Sequence, residues 1–412
     1  EEGTANSPPT TDANGDTIPD WVETTRDTFE HVWSIEVGQY GYRPPKPDPG
    51  PPDTPDSRLD VFLTDTGGAA VPFYGACGIT DPNFENPGYQ FSDFAAACQV
   101  DNDFDPSQFP APGANGLAAL QVTAAHEFFH AIQFGYDAFE DLWLLEGTAV
   151  WMEDQLYDDV NDNYQYLASS AIVAPFAPLD FSGTEFGFEY ASWLFWRFLS
   201  EHFGTSGVDP SVIKRVWDLA DGSAVGPDQY SLQAVQTVVG DLGSSFGDFF
   251  ADFAVANYLP ELFYEEGRAY VDAVGFVPED SFKISTSKRK AGGTVPLDHL
   301  TSYYASFAPG KGVLGTAKLK LVLDLPASIT APQATALVVF KTGVVQEVPL
   351  ALDASGAATR KVTFNKKKVA GIVLVLSNAS TRFSCGRGTA YSCSGAPMDD
   401  DLSYKLTAKL IQ

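Results

Sequence analysis

The residues from His126 to Asp154, HEFFHAIQFGYDAFEDLWLLEGTAVWMED, constrain this chain more than any other stretch. They open on His126-Glu127-Phe128-Phe129-His130, an H-E-x-x-H. Side chains four apart share one face of a helix, so His126 and His130 can present two imidazoles to one metal ion. Glu127 falls beside that face, where a carboxylate can accept a proton from a water that the metal polarises. A catalytic zinc takes three protein ligands and keeps a position for water, so a third ligand is needed. Glu146 is the candidate, in Trp143-Leu144-Leu145-Glu146-Gly147-Thr148-Ala149; Asp137, Glu140, Asp141 and Glu153 are the nearby alternatives. A carboxylate among Trp and Leu is costly to bury without a strong partner, and a metal ion is such a partner. The run around it is expected to be a second helix, beginning soon after Gly135 closes the first. Glu153 stands seven residues beyond Glu146. Seven steps of about 100° return to nearly the same helix face, roughly 10 Å further along. That is too far to share the ion but well placed to orient a ligand histidine from behind.

These residues resemble a family. H-E-x-x-H followed by W-L-x-E-G-x-A-x-x-x-E resembles the gluzincin zinc peptidases. LWLLEGTAVWME is similar to the LWLNEGFAxxxE phrase of the gluzincin aminopeptidases. HEFFHAIQF together with WLLEGTAVWMED is closer still to secreted bacterial peptidases of the hyicolysin type. The resemblance implies that His126, His130 and Glu146 bind zinc, that Glu127 is the general base, and that Glu153 supports a ligand. The chain has no G-x-M-E-N, by which aminopeptidases of this clan hold a substrate amino terminus. The metzincin pattern fails too, because Gln133 and Tyr136 stand where its Gly and third His belong.

The 412 residues suffice for two or three domains with proper cores, and 44% of them are apolar. The longest apolar run, around Val369 to Leu376, is too short to span a bilayer. The opening EEGTANSPPT is acidic and polar, so no signal peptide is expected within the chain. The four cysteines, Cys77, Cys98, Cys385 and Cys393, lack metal or redox spacing. Of the three pairings they permit, Cys77–Cys98 with Cys385–Cys393 is the natural one, and it suits an oxidising, extracellular setting. Net charge is −29 and unevenly spread. Residues 277–412 hold 17 Lys and Arg against 9 Asp and Glu, whereas residues 1–276 hold 8 against 45. The acidic part should repel nucleic acid and anionic membranes.

A second motif with metal-ligand spacing lies near the start. Asp12, Asn14, Asp16, Asp20 and Glu23 stand at loop positions 1, 3, 5, 9 and 12, with the Ile18 carbonyl at 7, which is the ligand order of an EF-hand. It resembles the D-x-N-G-D-x-x-P-D loops of secreted calcium-stabilised proteins, although its Gly is at position 4 instead of 6. A helix is expected to follow, with Trp21, Val22, Phe29, Val32, Trp33 and Val37 on its apolar side. Residues 44–57 read as a proline-rich loop or linker. Arg58–Leu63 and Ala95–Val100 read as strands. In gluzincins a sheet edge before the zinc helix receives the substrate backbone, and the resemblance implies that the strand near Cys98 is that edge. Helices are expected at Tyr190–His202, Pro210–Leu219, Leu232–Leu242 and Phe246–Tyr258. Tyr190 is the candidate phenol for stabilising an oxyanion, with Tyr157, Tyr164 and Tyr166 as competitors. The basic run in 277–293 reads as a linker. Seven short strands follow between Tyr303 and Ile411, which suggests a β-sandwich.

The expectation is therefore an α+β chain: a gluzincin-like zinc peptidase domain with a small N-terminal sheet (1–115) and a helical lobe (116–276), a linker (277–293) and a C-terminal β-sandwich (294–412). The implied function is a secreted zinc endopeptidase acting on proteins or peptides, stabilised by calcium. The rival expectations are an aminopeptidase and a surface-binding or adhesion protein with structural zinc.

Overall fold

The chain forms two compact units in the computed structural model, Glu1–Tyr166 with Glu189–Ala234, and Leu167–Phe188 with Val235–Gln412. The structure describes residues 4–48, 57–109, 113–183, 187–275, 277 and 279–412. Most of the proline-rich stretch, residues 49–56, lies outside the described residues.

The first unit starts with helix α1 (Asp20–Glu36), whose first turn carries Asp20 and Glu23. Acidic side chains there suit the partial positive charge of a helix N-terminus. A three-stranded sheet follows, of β1 (Val61–Thr64), β2 (Gly75–Ile79) and β3 (Ala96–Asp101), in the order β1-β3-β2. β3 is parallel to β1 and antiparallel to β2. The strand holding Cys98 is thus the central one, not the edge; its alternate residues Ala96, Cys98 and Val100 are all buried. Paired on both sides, it has no free backbone edge to offer.

Helix α2 (Gly116–Asp137) is 22 residues long and buried on nearly all sides from Ala119 to Gln133. An all-round apolar helix belongs in a core, and α2 packs against α1, β2, β3 and the next helix, α3 (Leu142–Leu156). Gly135 does not close α2, which runs through it to Asp137. The absent side chain leaves room for the chain at Lys46, whose amide nitrogen would lie 3.3 Å from a Cβ. The aromatic run predicted as one helix is broken at Ser192 into α4 (Phe188–Ala191) and α5 (Trp193–His202). α5 packs closely on α3 because position 147 is glycine: a Cβ there would lie 2.1 Å from Ser192 Oγ and 2.6 Å from Trp196 Nε1. Both groups donate instead to the Trp143 carbonyl, at 2.8 and 3.1 Å. α6 (Pro210–Leu219) adds its apolar face, and α7 (Ser231–Asp241) carries the chain into the second unit.

In the second unit, α8 (Phe246–Tyr258), α9 (Pro260–Phe263) and α10 (Gly267–Val274) precede the strands. Residues 277–293 are not a linker, because β4 (Asp280–Ile284) and the first half of β5 (Lys290–Leu297) fall there. The remaining strands are β6 (Thr301–Pro309), β7 (Lys318–Asp324), β8 (Pro332–Phe340), β9 (Val345–Pro349), β10 (Ala357–Thr363), β11 (Val369–Asn378), β12 (Phe383–Ser384), β13 (Ala396–Pro397) and β14 (Leu402–Ile411). They form a four-stranded sheet, β10-β7-β14-β5, a five-stranded sheet, β4-β6-β11-β8-β9, and a two-stranded pair, β12-β13. β7 and β14 alternate strictly, with Leu319, Leu321, Leu323, Leu406 and Leu410 inward. These meet Phe307, Val338, Ile372 and Leu374 of the other sheet in one core, giving a sandwich-like arrangement. α8 covers the opposite face of the five-stranded sheet, where Ala254 and Val255 pack on Tyr304, Leu337 and Val375. The chain is α+β, and both disulfides form, Cys77–Cys98 across β2 and β3 and Cys385–Cys393 near the C-terminus. No helix among the described residues is long and apolar enough to cross a membrane.

Candidate metal centre

The i, i+4 spacing on α2 brings the His126 and His130 Nε2 atoms to 3.0 Å from each other. α3 delivers Glu146 Oε2 to 3.3 and 3.4 Å from those nitrogens. One ligand atom from each residue lies within 4.8 Å of the others. The two histidines are 9% and 8% exposed.

The far sides of both rings fix their tautomers. His126 Nδ1 is 2.6 Å from Glu153 Oε1, which accepts from the ring when the carboxylate is ionised. His130 Nδ1 is 2.6 Å from Gln133 Oε1. Gln133 is fully buried, and its Nε2 donates to the Leu145 carbonyl at 2.9 Å and to Thr148 Oγ1 at 3.0 Å, which fixes its oxygen towards the ring. Each Nδ1 therefore carries hydrogen. The neutral imidazoles then aim two lone pairs and a carboxylate at one point. Three acceptors crowded without a hydrogen are repulsive unless a cation sits among them. Without a metal ion the cation is a proton. Burial lowers the basicity of both imidazoles, but Glu146, and Glu153 beside His126, more than reverse it and raise both. Burial pushes Glu146 up, and the charges and hydrogen bonds of His130 and His126 outweigh this and hold it well below the usual carboxylate range. Two imidazoles and one carboxylate are a donor set that fits zinc or a similar divalent ion.

Glu127 lies beside these groups, 5% exposed. Its Oε2 has no hydrogen-bond partner among the described residues. Burial raises its carboxyl above the ordinary range, against the pull of His126 and His130. Glu127 faces a cavity of about 300 Å³ lined also by Tyr74, Gly75, Thr123, Tyr166 and Tyr190. Position 75 must be glycine, since a Cβ would lie 2.9 Å from Glu127 Cγ and 2.8 Å from Thr123 Cγ2. β2, the edge strand that starts at Gly75, therefore passes directly beside Glu127. Tyr190 stacks on His126, with ring centroids 6.2 Å apart, and on Tyr166 at 5.2 Å. Burial, with Glu146 close by, pushes its phenol far up, so it stays a neutral donor. Burial likewise pushes Glu153 up, to about 7, despite its bond to His126.

Sequence reasoning missed two residues. Gln133 entered only as a mismatch to another motif; its i+3 position from His130 was the available signal. Glu36, the last residue of α1, is wholly buried with neither oxygen paired among the described residues. Burial holds its carboxyl well above the usual range, with His126 pulling the other way. No sequence signal marked it.

The acidic loop near the start is placed apart from these groups and closes on itself. Asp12 Oδ1 accepts from the Gly15 and Asp16 amides, and its Oδ2 from Thr17. Asp16 accepts from Ile18, and Asp20 from Ala13. Asn14 Nδ2 donates to Asp16 and Glu23 at 3.2 and 3.1 Å. Its carboxylates do not form a group of three within 4.8 Å. Thr17, at loop position 6, adopts a φ of 80°, the left-handed conformation that an EF-hand assigns to glycine.

No protein-family model matches the chain, and no curated protein matches it. Solved structures similar in part include the pre-peptidase C-terminal domain of a Bacillus anthracis collagenase, 10% identical over 32% of this chain and 97% of that one, with a TM-score of 0.19. A surface-associated copper-binding protein of Methylomicrobium album is 10% identical over 32% of this chain and 98% of its own, at 0.19. A family 115 4-O-methyl-α-glucuronidase is 10% identical over 72% of this chain and 42% of its own, at 0.18. Likenesses this slight bear on neither the fold nor the function.

Proposed function

We propose that the protein is a zinc-dependent endopeptidase of gluzincin type that acts outside the cell. The convergence of His126 Nε2, His130 Nε2 and Glu146 Oε2 beside an unpartnered Glu127 carries the reading. Zinc held by those three residues would polarise a substrate carbonyl and lower the pKa of its water towards about 7.

The chain's own groups supply the rest. Glu127 Oε2, with no protein hydrogen bond to break, accepts the proton of the attacking water. Its raised pKa makes it a stronger base than an exposed carboxylate and a competent acid when it hands the proton to the leaving amine. Tyr190, a neutral phenol stacked on His126, donates a hydrogen bond to the developing oxyanion. Glu153 and Gln133 hold the two imidazoles in the tautomer that leaves Nε2 free. The unpaired edge of β2 beside Glu127 offers an extended peptide main-chain hydrogen bonds, which suits cleavage within a chain. The disulfides and acidic surface suit an extracellular setting.

The test is zinc content and cleavage of a mixed peptide library by purified protein. One tightly bound zinc per chain, lost in Glu146→Ala, with chelator-sensitive cleavage inside peptides, is the expected result. Cleavage confined to free amino termini would replace the endopeptidase with an aminopeptidase. Bound zinc without cleavage would leave a binding protein.

A further inference from the structure

The four-stranded sheet of the second unit carries a row of lysines that the metal-centre chemistry does not use. Lys361 on β10 lies opposite Lys320 on β7, Lys320 opposite Lys409 on β14, and Lys409 opposite Lys290 on β5. Their neighbours in sequence, Val362, Leu319, Leu321, Ala408 and Leu410, are buried in the sandwich core. Side chains alternate along a strand, so the lysines all stand on the outer face. Neighbouring strands are about 4.8 Å apart, which makes the row roughly 14 Å long. Lys318 and Lys405 stand on the same face. Its one carboxylate on these strands is Asp324, which pairs with Lys405 at 3.6 Å. None of the four lysines in the row has a carboxylate partner among the described residues.

Like charges directly opposite across strands destabilise a sheet. Four in register, in a chain with 54 acidic residues and only 25 basic ones, are unfavourable until an anion lies across them. We infer that this face binds an acidic polysaccharide. A linear polymer with regularly spaced sulfate or carboxylate groups matches a straight row of point charges. An open hollow of about 380 Å³ beside Lys405, lined by the polar Thr294, Asp324 and Ser403 and the apolar Leu325, Pro326 and Leu402, lies roughly 13 Å along the strands from the row and plays no part in it. The outward positions of β5, β7, β10 and β14 carry no aromatic ring on which a nucleic-acid base could stack. Nor do they include a large exposed apolar side chain that could enter a bilayer. The inference stands apart from the peptidase reading, and a chelator added throughout keeps the two separate.

The test uses the full chain, with dextran sulfate, polygalacturonate, neutral dextran, single-stranded poly(dT) and phosphatidylserine vesicles as probes in affinity electrophoresis at several salt concentrations. One or both acidic polysaccharides should retard the wild type, with affinity falling as salt rises because each lysine releases a counterion. Lys320→Gln/Lys409→Gln should bind at least about tenfold more weakly. Lys366→Gln/Lys367→Gln, which removes two exposed lysines from the loop after β10, should bind as the wild type does. Circular dichroism of each variant confirms that the fold is retained. Failure of both acidic polymers to bind at low salt, an equal loss in the loop variant, or tighter binding of poly(dT) or vesicles would overturn the inference.

Discussion

Replacing Gln133 separates the positioning of a ligand from the general upkeep of the fold. Its side chain makes three hydrogen bonds, to His130 Nδ1, the Leu145 carbonyl and Thr148 Oγ1. Gln133→Leu removes the acceptor that fixes the His130 tautomer and leaves a buried N–H unpaired, at a stability cost of about 1–3 kcal/mol. Loss of a ligand's supporting partner typically weakens metal affinity about 10–100-fold, or about 1.4–2.7 kcal/mol. Thr148 keeps its bonds to Leu144 and Trp217, so the damage stays local. Gln133→Glu keeps an acceptor towards His130 and adds negative charge, but loses the donor to Leu145. It should lose stability too, yet bind zinc at least as tightly as the wild type. The assay is competition for zinc against a chromophoric chelator, on samples shown to be folded by circular dichroism. Wild-type affinity in Gln133→Leu, or an equal loss in both variants, would refute the positioning role.

Three further predictions rest on other parts of the molecule. In Gly147→Ala a Cβ would meet Ser192 Oγ at 2.1 Å, so overpacking of roughly 1–3 kcal/mol should outweigh a helix-propensity gain of about 1 kcal/mol; a raised melting temperature would contradict this. His299, 1% exposed between Asp180 and Asp400 at 2.9 and 2.6 Å, has its pKa lowered by burial but raised further by those two carboxylates, to about 9. A raised folded-state pKa gives stability that is complete below the ordinary value near 6.5 and is lost as pH rises through about 9, so the advantage of wild type over His299→Gln should shrink by about 3 kcal/mol across that window, and a constant difference in denaturant unfolding would contradict it. We also propose that residues 12–23 bind calcium: at a hundred times its dissociation constant the ion should raise the melting temperature by roughly 5–10 °C, and identical curves with and without calcium, or an unchanged response in Asp12→Ala/Asp16→Ala, would dispose of the idea.

What the sequence revealed was local. The four-residue spacing of His126 and His130 is a property of one helix, and the alternation in β7 and β14 is a property of each strand. What it concealed was pairing at a distance. β5, KAGGTVPL, carries Lys, Ala, Pro and two Gly, which have low strand propensity, and becomes a strand because it pairs with β14 at the far end of the chain. The central place of β3 depends on β1 and β2 flanking it, which periodicity does not encode. The lysine row needs the register of four strands and is invisible in the order of residues. Gly135 looked like a stop because glycine ends many helices, but here close packing at Lys46 explains it. Residues 167–188 join the second unit although the segments on both sides of them in sequence belong to the first.

The most direct test of the central claim is casein cleavage by zinc-loaded wild type and zinc-loaded Glu127→Gln at matched concentration. Glutamine keeps the shape and hydrogen bonding of Glu127 but is not a base, and Glu127 is not in the group His126, His130 and Glu146 proposed to hold the metal, so zinc content should be equal in the two samples. General-base catalysis is worth about 10²–10⁴ in rate, so the account predicts cleavage by the wild type, abolished by a chelator and restored by zinc, and at least about a hundredfold less by the variant. Equal cleavage by both, or none by the wild type, would contradict it.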